Sequence, residues 1–286
     1  MRATRTALGR VGVWSRELRF NADRGAARDA AAELEALGYG ALWIPDVGGD
    51  VLGAVGEMLD ATSSIAVATG ILNIWMHDAE AIASGLAALP GGERFLLGLG
   101  ASHAAVVDAY AKPLTAMREY LEALDAAGLP ASDRILAALG PKMLDLSRDR
   151  AGGAHPYLVD VAHTAAARER LGADKLLAPE LSVAFSDDLD AARAAAHAHV
   201  ADYLALPNYA NNFRRLGYGD EDFAGGGSDR MVDALVAYGD EARIAARVAE
   251  HLAAGADHVC VQVVGQTDEA LAREQWRRLA PALTSL

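Results

Sequence analysis

Ile65-Ala66-Val67-Ala68-Thr69 and Phe95-Leu96-Leu97-Gly98-Leu99 are short apolar runs flanking an alanine-rich stretch, Asp78 to Leu89. Neither run alternates apolar with polar residues, as a strand wetted on one side does. Continuous apolar strands are those covered on both faces. Two of them separated by a helix-length crossover read as a parallel βαβ unit.

The same alternation extends in both directions. Towards the N-terminus lie a strand from Leu8 to Trp14 and a helix from Ala22 to Leu37, with Asn21 as cap and Gly38 as stop. The strand Gly40 to Ile44 and the helix Val51 to Ala61 follow. Towards the C-terminus come helix Leu114 to Ala127, strand Arg134 to Leu139 and helix Lys142 to Arg148. Strand Gly153 to Tyr157, helix Asp160 to Leu171, strand Lys175 to Phe185 and helix Asp187 to Leu206 continue the series, and strand His258 to Val263 with helix Asp268 to Leu279 closes it. Eight such units predict a (β/α)8 TIM barrel, one α/β domain over residues 1–286. The alternative is a doubly wound open sheet, which usually carries a glycine-rich turn after its first strand; Ser15-Arg16-Glu17-Leu18 has no glycine. Residues 207–239 interrupt the pattern with Asn208, Asn211, Asn212 and Gly225-Gly226-Gly227-Ser228. They read as an insertion in the seventh βα unit, either a binding loop or a surface excursion.

Composition narrows the function. The 286 residues are 52% hydrophobic and carry a formal charge of −13. A large core is therefore available, and an acidic chain with no basic tract is a poor partner for nucleic acid. No apolar run is long enough for a membrane span, and no apolar segment follows the basic N-terminus, so a cytoplasmic location is expected. The lone cysteine, Cys260, sits in Val259-Cys260-Val261 and reads as a buried, inert thiol.

Barrels of this kind hold their sites at the carboxyl ends of the strands. Those ends offer Trp14, Arg16, Asp46, Thr69, Gly70, Asn73, Gly100-Ala101-Ser102-His103, Gly140-Pro141-Lys142 and His155-Pro156-Tyr157. Carboxylates are scarce, which argues against a glycosidase. Metal-ligand spacing is missing too: His197 and His199 lie two apart on a helix and are read as surface residues. Gly98-Leu99-Gly100 lacks the third glycine of a dinucleotide loop. It is either a tight strand exit or a loop lining a large planar ligand. Gly140-Pro141-Lys142 starts a helix, so it reads either as an anion site or as an ordinary solvated lysine. Trp14, Trp43 and Trp75, near three strand ends, make either a stacking pocket or core packing.

The chain also resembles the luciferase-like monooxygenase superfamily, in the branch that uses the deazaflavin coenzyme F420. The resemblance rests on Leu42-Trp43-Ile44-Pro45-Asp46, Ala66 to Trp75, Arg94 to Gly100, Ala137 to Leu144 and Gly255 to Gln262, and spans Leu8 to Leu279. It implies a barrel with the cofactor ring over the strand ends and a cis peptide at Gly70-Ile71. Asp46, Thr69, Gly70 and Ile71 would then meet the ring. Gly100, Ala101, Ser102, Leu139, Gly140, Pro141, Lys142 and His155 would hold the rest of the cofactor, and Trp14, Arg16, Asn73 and Trp75 would face a small organic substrate. The family's histidine after the strand-2 aspartate is replaced by Val47, so His103 or His77, with Asp46, becomes the expected catalytic group. An F420-dependent oxidoreductase, dimeric in the family's manner, is the leading expectation. The alternatives are an FMN-dependent monooxygenase and a cofactor-binding barrel without turnover.

Overall fold

The computed structural model describes residues 8–102, 112–265 and 270–286. Its strands are β1 (Val11–Trp14), β2 (Ala41–Ile44), β3 (Ala66–Thr69), β4 (Leu72–Asn73), β5 (Phe95–Gly100) and β6 (Arg134–Leu136). β7 (Gly153–Ala154), β8 (Leu176–Leu177), β9 (Glu180–Phe185), β10 (Val236–Gly239) and β11 (Val259–Val263) complete them. They form one sheet in the order β10-β9-β11-β1-β2-β3-β5-β6-β7-β8, with β4 paired to β5, and each pairing is parallel. The sheet curls on itself, because β8 runs straight into β9 through Ala178-Pro179. The N–H groups of Ala178 and Glu180 bond the carbonyls of Ala154 and Pro156.

Parallel strands place all their carboxyl ends on one side, and aspartates start the next helices there. Asp50, Asp78, Asp160, Asp188 and Asp240 cap the helices Val51–Ala61, Ala79–Ala88, Val161–Leu171, Leu189–Leu204 and Glu241–Ala253. Such a cap contributes about 1 kcal/mol. The helix Arg24–Ala36 is capped by Asp23, not by Asn21, because a four-residue helix, Glu17–Phe20, occupies the chain before it and uses Asn21 as its end.

Two packed layers follow from the strand period of two. Leu42, Ile44, Val67 and Leu97 face the surrounding helices. Trp14, Trp43, Ala66, Ala68, Leu96, Ile135 and Cys260 meet one another on the inside of the curl. Small alanines there leave room for the fully buried Trp43.

Residues 207–239 differ from the sequence reading. They are mostly helical, with Pro207–Arg215, Asp220–Phe223 and Asp229–Leu235, and they end in β10. β10 lies parallel to β9, pairing Val236 with Ser182 through Gly239 with Phe185. The strand escaped the sequence reading because it follows its helix with no intervening turn residue.

Candidate functional site

A cavity of about 440 Å³ opens at the carboxyl ends of the strands. That size suits a drug-sized or cofactor-sized organic molecule. One wall comes from Trp14, Asp46, Gly70, Ile71, Gly100 and Ser102; the opposite wall comes from Tyr203, Asn208, Tyr209, Asn211 and Arg215. Leu139, Gly140, Met143, His155 and Tyr157 lie between them.

The first wall is held by Asp46, whose side chain has no solvent exposure. Its Oδ1 accepts from the Arg19 guanidinium and the Gly48 N–H, each at 3.0 Å. Its Oδ2 accepts from the Asn73 N–H at 3.1 Å and lies 2.7 Å from His77 Nε2. Burial alone would raise this carboxyl; the Asn73 and Gly48 N–H groups, Arg19 and His77 together bring it below the usual aspartate value. The Asp46 N–H in turn bonds the Ile71 carbonyl. One residue thereby fixes the turn after β3 through its backbone and β4 with the chain beyond it through its carboxylate. The Gly70-Ile71 peptide is cis, and the Gly70 carbonyl accepts from Trp14 Nε1 at 2.8 Å. A Cβ on Gly70 would stand 2.6 Å from Trp14 Nε1, and one on Gly100 would stand 2.4 Å from Ile71 Cδ1. Both positions therefore require a bare backbone.

Below the cavity the interior is polar but closed. His258 Nδ1 donates to the Gly9 carbonyl and its Nε2 accepts from Trp43 Nε1 at 3.0 Å. The Trp43 ring stacks on His155, centroids 4.5 Å apart. His155 Nδ1 lies 2.7 Å from the Ala178 carbonyl, which can only accept, so Nδ1 carries the proton. Burial brings both imidazoles down to about 4, which leaves them neutral. Cys260 is buried and free, and burial pushes its thiol up.

Beside His155, the Tyr157 hydroxyl lies 2.9 Å from that of Tyr203 and donates to Gln262 Oε1 at 2.8 Å. Burial pushes Tyr203 up to about 12, so the hydroxyl stays neutral. Tyr157 is presented by the turn at Leu158, whose φ of +51° is left-handed. The Leu158 N–H donates to the buried Glu180 Oε2, and Glu180 Oε1 accepts from Ser182. Burial raises the Glu180 carboxyl to about 7, against the pull of Ser182 and the Leu158 N–H.

At the rim, Gly140 begins the helix Pro141–Arg150 with no side-chain cap. The space beside its Cα faces Arg215, whose Nη2 would lie 3.4 Å from a Cβ there. Arg215 donates to Asn212 Oδ1, and among the described residues no carboxylate pairs with it.

The residues singled out from the sequence divide accordingly. Asp46, Gly70, Ile71, Gly100, Ala101, Ser102, Leu139, Gly140, His155 and Trp14 line the cavity. Thr69 lies behind it, exchanging hydrogen bonds with the Gly98 backbone. Asn73 is buried, its N–H on Asp46. Trp75 donates its indole N–H to the Ala101 carbonyl outside the cavity. The three tryptophans therefore do not share one mouth: Trp43 is interior and Trp75 packs against the outer core. Arg16 is exposed over Phe20. Pro141 and Lys142 are exposed outside the lining, because the first turn of their helix faces outwards. His77 is engaged by Asp46, and His103 lies outside the described residues. His199 is no surface residue; its Nε2 meets Ser182 at 2.9 Å, and burial brings it to about 4. Among the described residues no cluster of three His, Cys, Asp or Glu side chains could hold a metal, and no helix is long and apolar enough to cross a membrane.

Asn208, Asn211 and Arg215 were not assigned from the sequence. Their signal is helical spacing: with Pro207 as first residue, they share one face while Tyr209 and Phe213 take the other and are buried.

A curled parallel sheet with a cavity at its strand ends, floored by bare glycine backbone, defines a class of α/β enzyme-like proteins. The more particular match is to the luciferase-like monooxygenase family, whose model matches residues 5–128; it is the family the sequence resembles. Among solved structures, the chain is similar to the coenzyme F420-dependent tetrahydromethanopterin reductase from Methanopyrus kandleri, at 18% identity over 96% of this chain and 97% of that one, TM-score 0.76. It is similar to an F420-dependent secondary alcohol dehydrogenase at 13% identity over 96% and 98%, TM-score 0.70. It is also similar to the oxygenating constituent of 3,6-diketocamphane monooxygenase from Pseudomonas putida, in complex with FMN, at 11% identity over 97% and 98%, TM-score 0.67. No curated protein matches the chain.

Proposed function

We propose that the protein is an oxidoreductase that binds coenzyme F420 in this cavity and transfers a hydride between the deazaflavin and a small organic substrate. The observation that carries this reading is the pairing of bare backbone at Gly70 and Gly100 with Arg215 at the opposite rim, a cation that no carboxylate among the described residues pairs. A flat ring needs the first and an acidic tail the second. The residues present fit such a group. Gly70, Ile71 and Trp14 would back the ring, while Arg215 and the uncapped helix start at Gly140 would hold the phosphate. When bound, the deazaflavin supplies a ring carbon that gives up or accepts a hydride.

The chain's own residues position and exclude. Asp46, saturated by four partners, keeps the turn beneath the ring fixed. Tyr157, Tyr203 and Tyr209 close the far side with neutral, largely buried phenols, which limits water at the reacting face. The two similar structures with the higher TM-scores are those of F420-dependent enzymes, which supports the deazaflavin over its rival. The rival reading, an FMN-dependent monooxygenase, is supported by the FMN complex among the similar structures.

Titrating the purified protein with coenzyme F420 and with FMN, following cofactor fluorescence, tests the proposal. Micromolar or tighter binding of F420 with none of FMN is the expected result. Preference for FMN would move the protein to the monooxygenase reading, and failure of both would remove the cofactor from the site.

A further inference from the structure

Among the described residues, the interior beneath the cavity is a chain of matched polar atoms with one exception. Gly9 carbonyl, His258, Trp43 Nε1 and Ala178 carbonyl are each paired, whereas His155 Nε2 is buried and has no hydrogen-bond partner. Its environment leaves no freedom to find one. The ring is pinned at Nδ1 and stacked on Trp43, and only 1% of His155 is exposed. With the proton fixed on Nδ1, Nε2 presents a bare lone pair. It faces Gly70: a Cβ built there would stand 3.2 Å from Nε2. Gly70 and His155 both line the cavity. The missing side chain at Gly70 therefore leaves Nε2, an acceptor that the protein itself does not use, facing bare backbone beside the Trp14 indole. A buried polar atom without a partner is costly, and native chains keep one only where something else satisfies it.

We propose that His155 is the hydrogen-bond acceptor for the bound ligand at the cavity floor, so that the site selects a planar molecule presenting an N–H or O–H donor there. The proposal rests on the cofactor reading above, and it names one atom that recognises the ring. The lactam N–H common to deazaflavins and flavins has the required chemistry.

Two measurements test it. In the first, coenzyme F420 and FMN are titrated against the unaltered protein, His155→Phe and His155→Gln. Phenylalanine keeps the stacking and removes the lone pair, so the affinity of whichever cofactor binds is expected to fall about tenfold or more. Glutamine returns an acceptor at the reach of Nε2 and is expected to recover most of the loss. The second needs no variant: nitrogen NMR of imidazole-labelled protein follows the His155 Nε2 resonance. It is expected at the position of a bare ring nitrogen in the empty protein and to move towards lower frequency on saturation with the cofactor. Cofactor binding with an unmoved resonance overturns the inference and assigns the space to a trapped water, and equal affinity of His155→Phe does the same. Should His155→Phe fail to fold, the resonance decides alone. If neither cofactor binds the unaltered protein, the cofactor reading fails and this inference falls with it.

Discussion

The two walls of the cavity use their polar groups in opposite ways. On the wall built around β2 to β4, each lone pair of the Asp46 carboxylate is taken by the protein, and the Trp14 indole bonds the Gly70 carbonyl. On the wall built from the helix Pro207–Arg215, Arg215 has no carboxylate among the described residues and Asn208 Oδ1 is buried without a partner. A wall that is internally satisfied acts as a template, because its geometry is set before any ligand arrives. A wall with unmatched groups has them available for recognition. The comparison thus separates shape from affinity within one pocket.

The largest expected effect is on the template wall. Asp46→Ala leaves the buried Arg19 guanidinium on the Pro45 and Gly48 carbonyls without its carboxylate, and two N–H groups without their acceptor, so stability is expected to fall by about 3–5 kcal/mol, read from urea unfolding midpoints. A loss below about 1 kcal/mol would break the contrast, since Asp46 would then be no more structural than Arg215.

A second effect concerns the join between the walls, where Glu180 holds the turn that presents Tyr157. Its carboxyl is raised to about 7 in the fold against an ordinary value of 4.5. Between those values the folded state holds the proton that the unfolded state has lost, so this group lowers stability as pH rises from about 4.5 and the loss levels off above 7. The whole change is on the order of 3 kcal/mol. His155, His199 and His258, each near 4, act with the opposite sign and add stability as pH rises towards 6.5. Comparing Glu180→Gln with the unaltered protein cancels them. The variant should gain relative stability from pH 5 to pH 8, and parallel stability curves would place Glu180 outside the join.

The smallest effect on stability belongs to the recognition wall. Arg215→Ala should change stability by less than about 0.5 kcal/mol, as surface substitutions do, while weakening a phosphate-bearing cofactor about tenfold. Lys142→Ala should change neither. If Lys142→Ala weakens binding and Arg215→Ala does not, the anion contact belongs to the helix start and the second wall loses its role.

Much of the architecture was legible because burial and period act locally. The helix Val51–Ala61 has the bounds its apolar spacing predicts, and the strand runs at Ala66 and Phe95 could have been placed from their composition alone. Within the site, Asp46, Gly70 and Gly100 were legible because strand ends converge by topology. Lys142 was chosen by charge at a helix start, yet one turn of a helix turns a side chain away as easily as towards a ligand. Arg215 could not be found in that way. It reaches Gly140 across 75 positions of sequence, through a helix whose packing on Tyr209 and Phe213 only the fold establishes. β10 was hidden for a different reason: four residues can pair with a neighbour without any period to announce them.

That strand has a consequence for how the protein could change over generations. β9 leaves the sheet and β10 returns beside it, in register from Ser182 with Val236 to Phe185 with Gly239. The intervening helices are therefore a detour that leaves at Phe185 and returns at Val236, three residues of rise and one strand spacing away, or about 11 Å. A detour with fixed ends can be lengthened, shortened or exchanged as a cassette while the strands keep their places. Substrate preference and foldability can thus be selected on separate stretches of one gene.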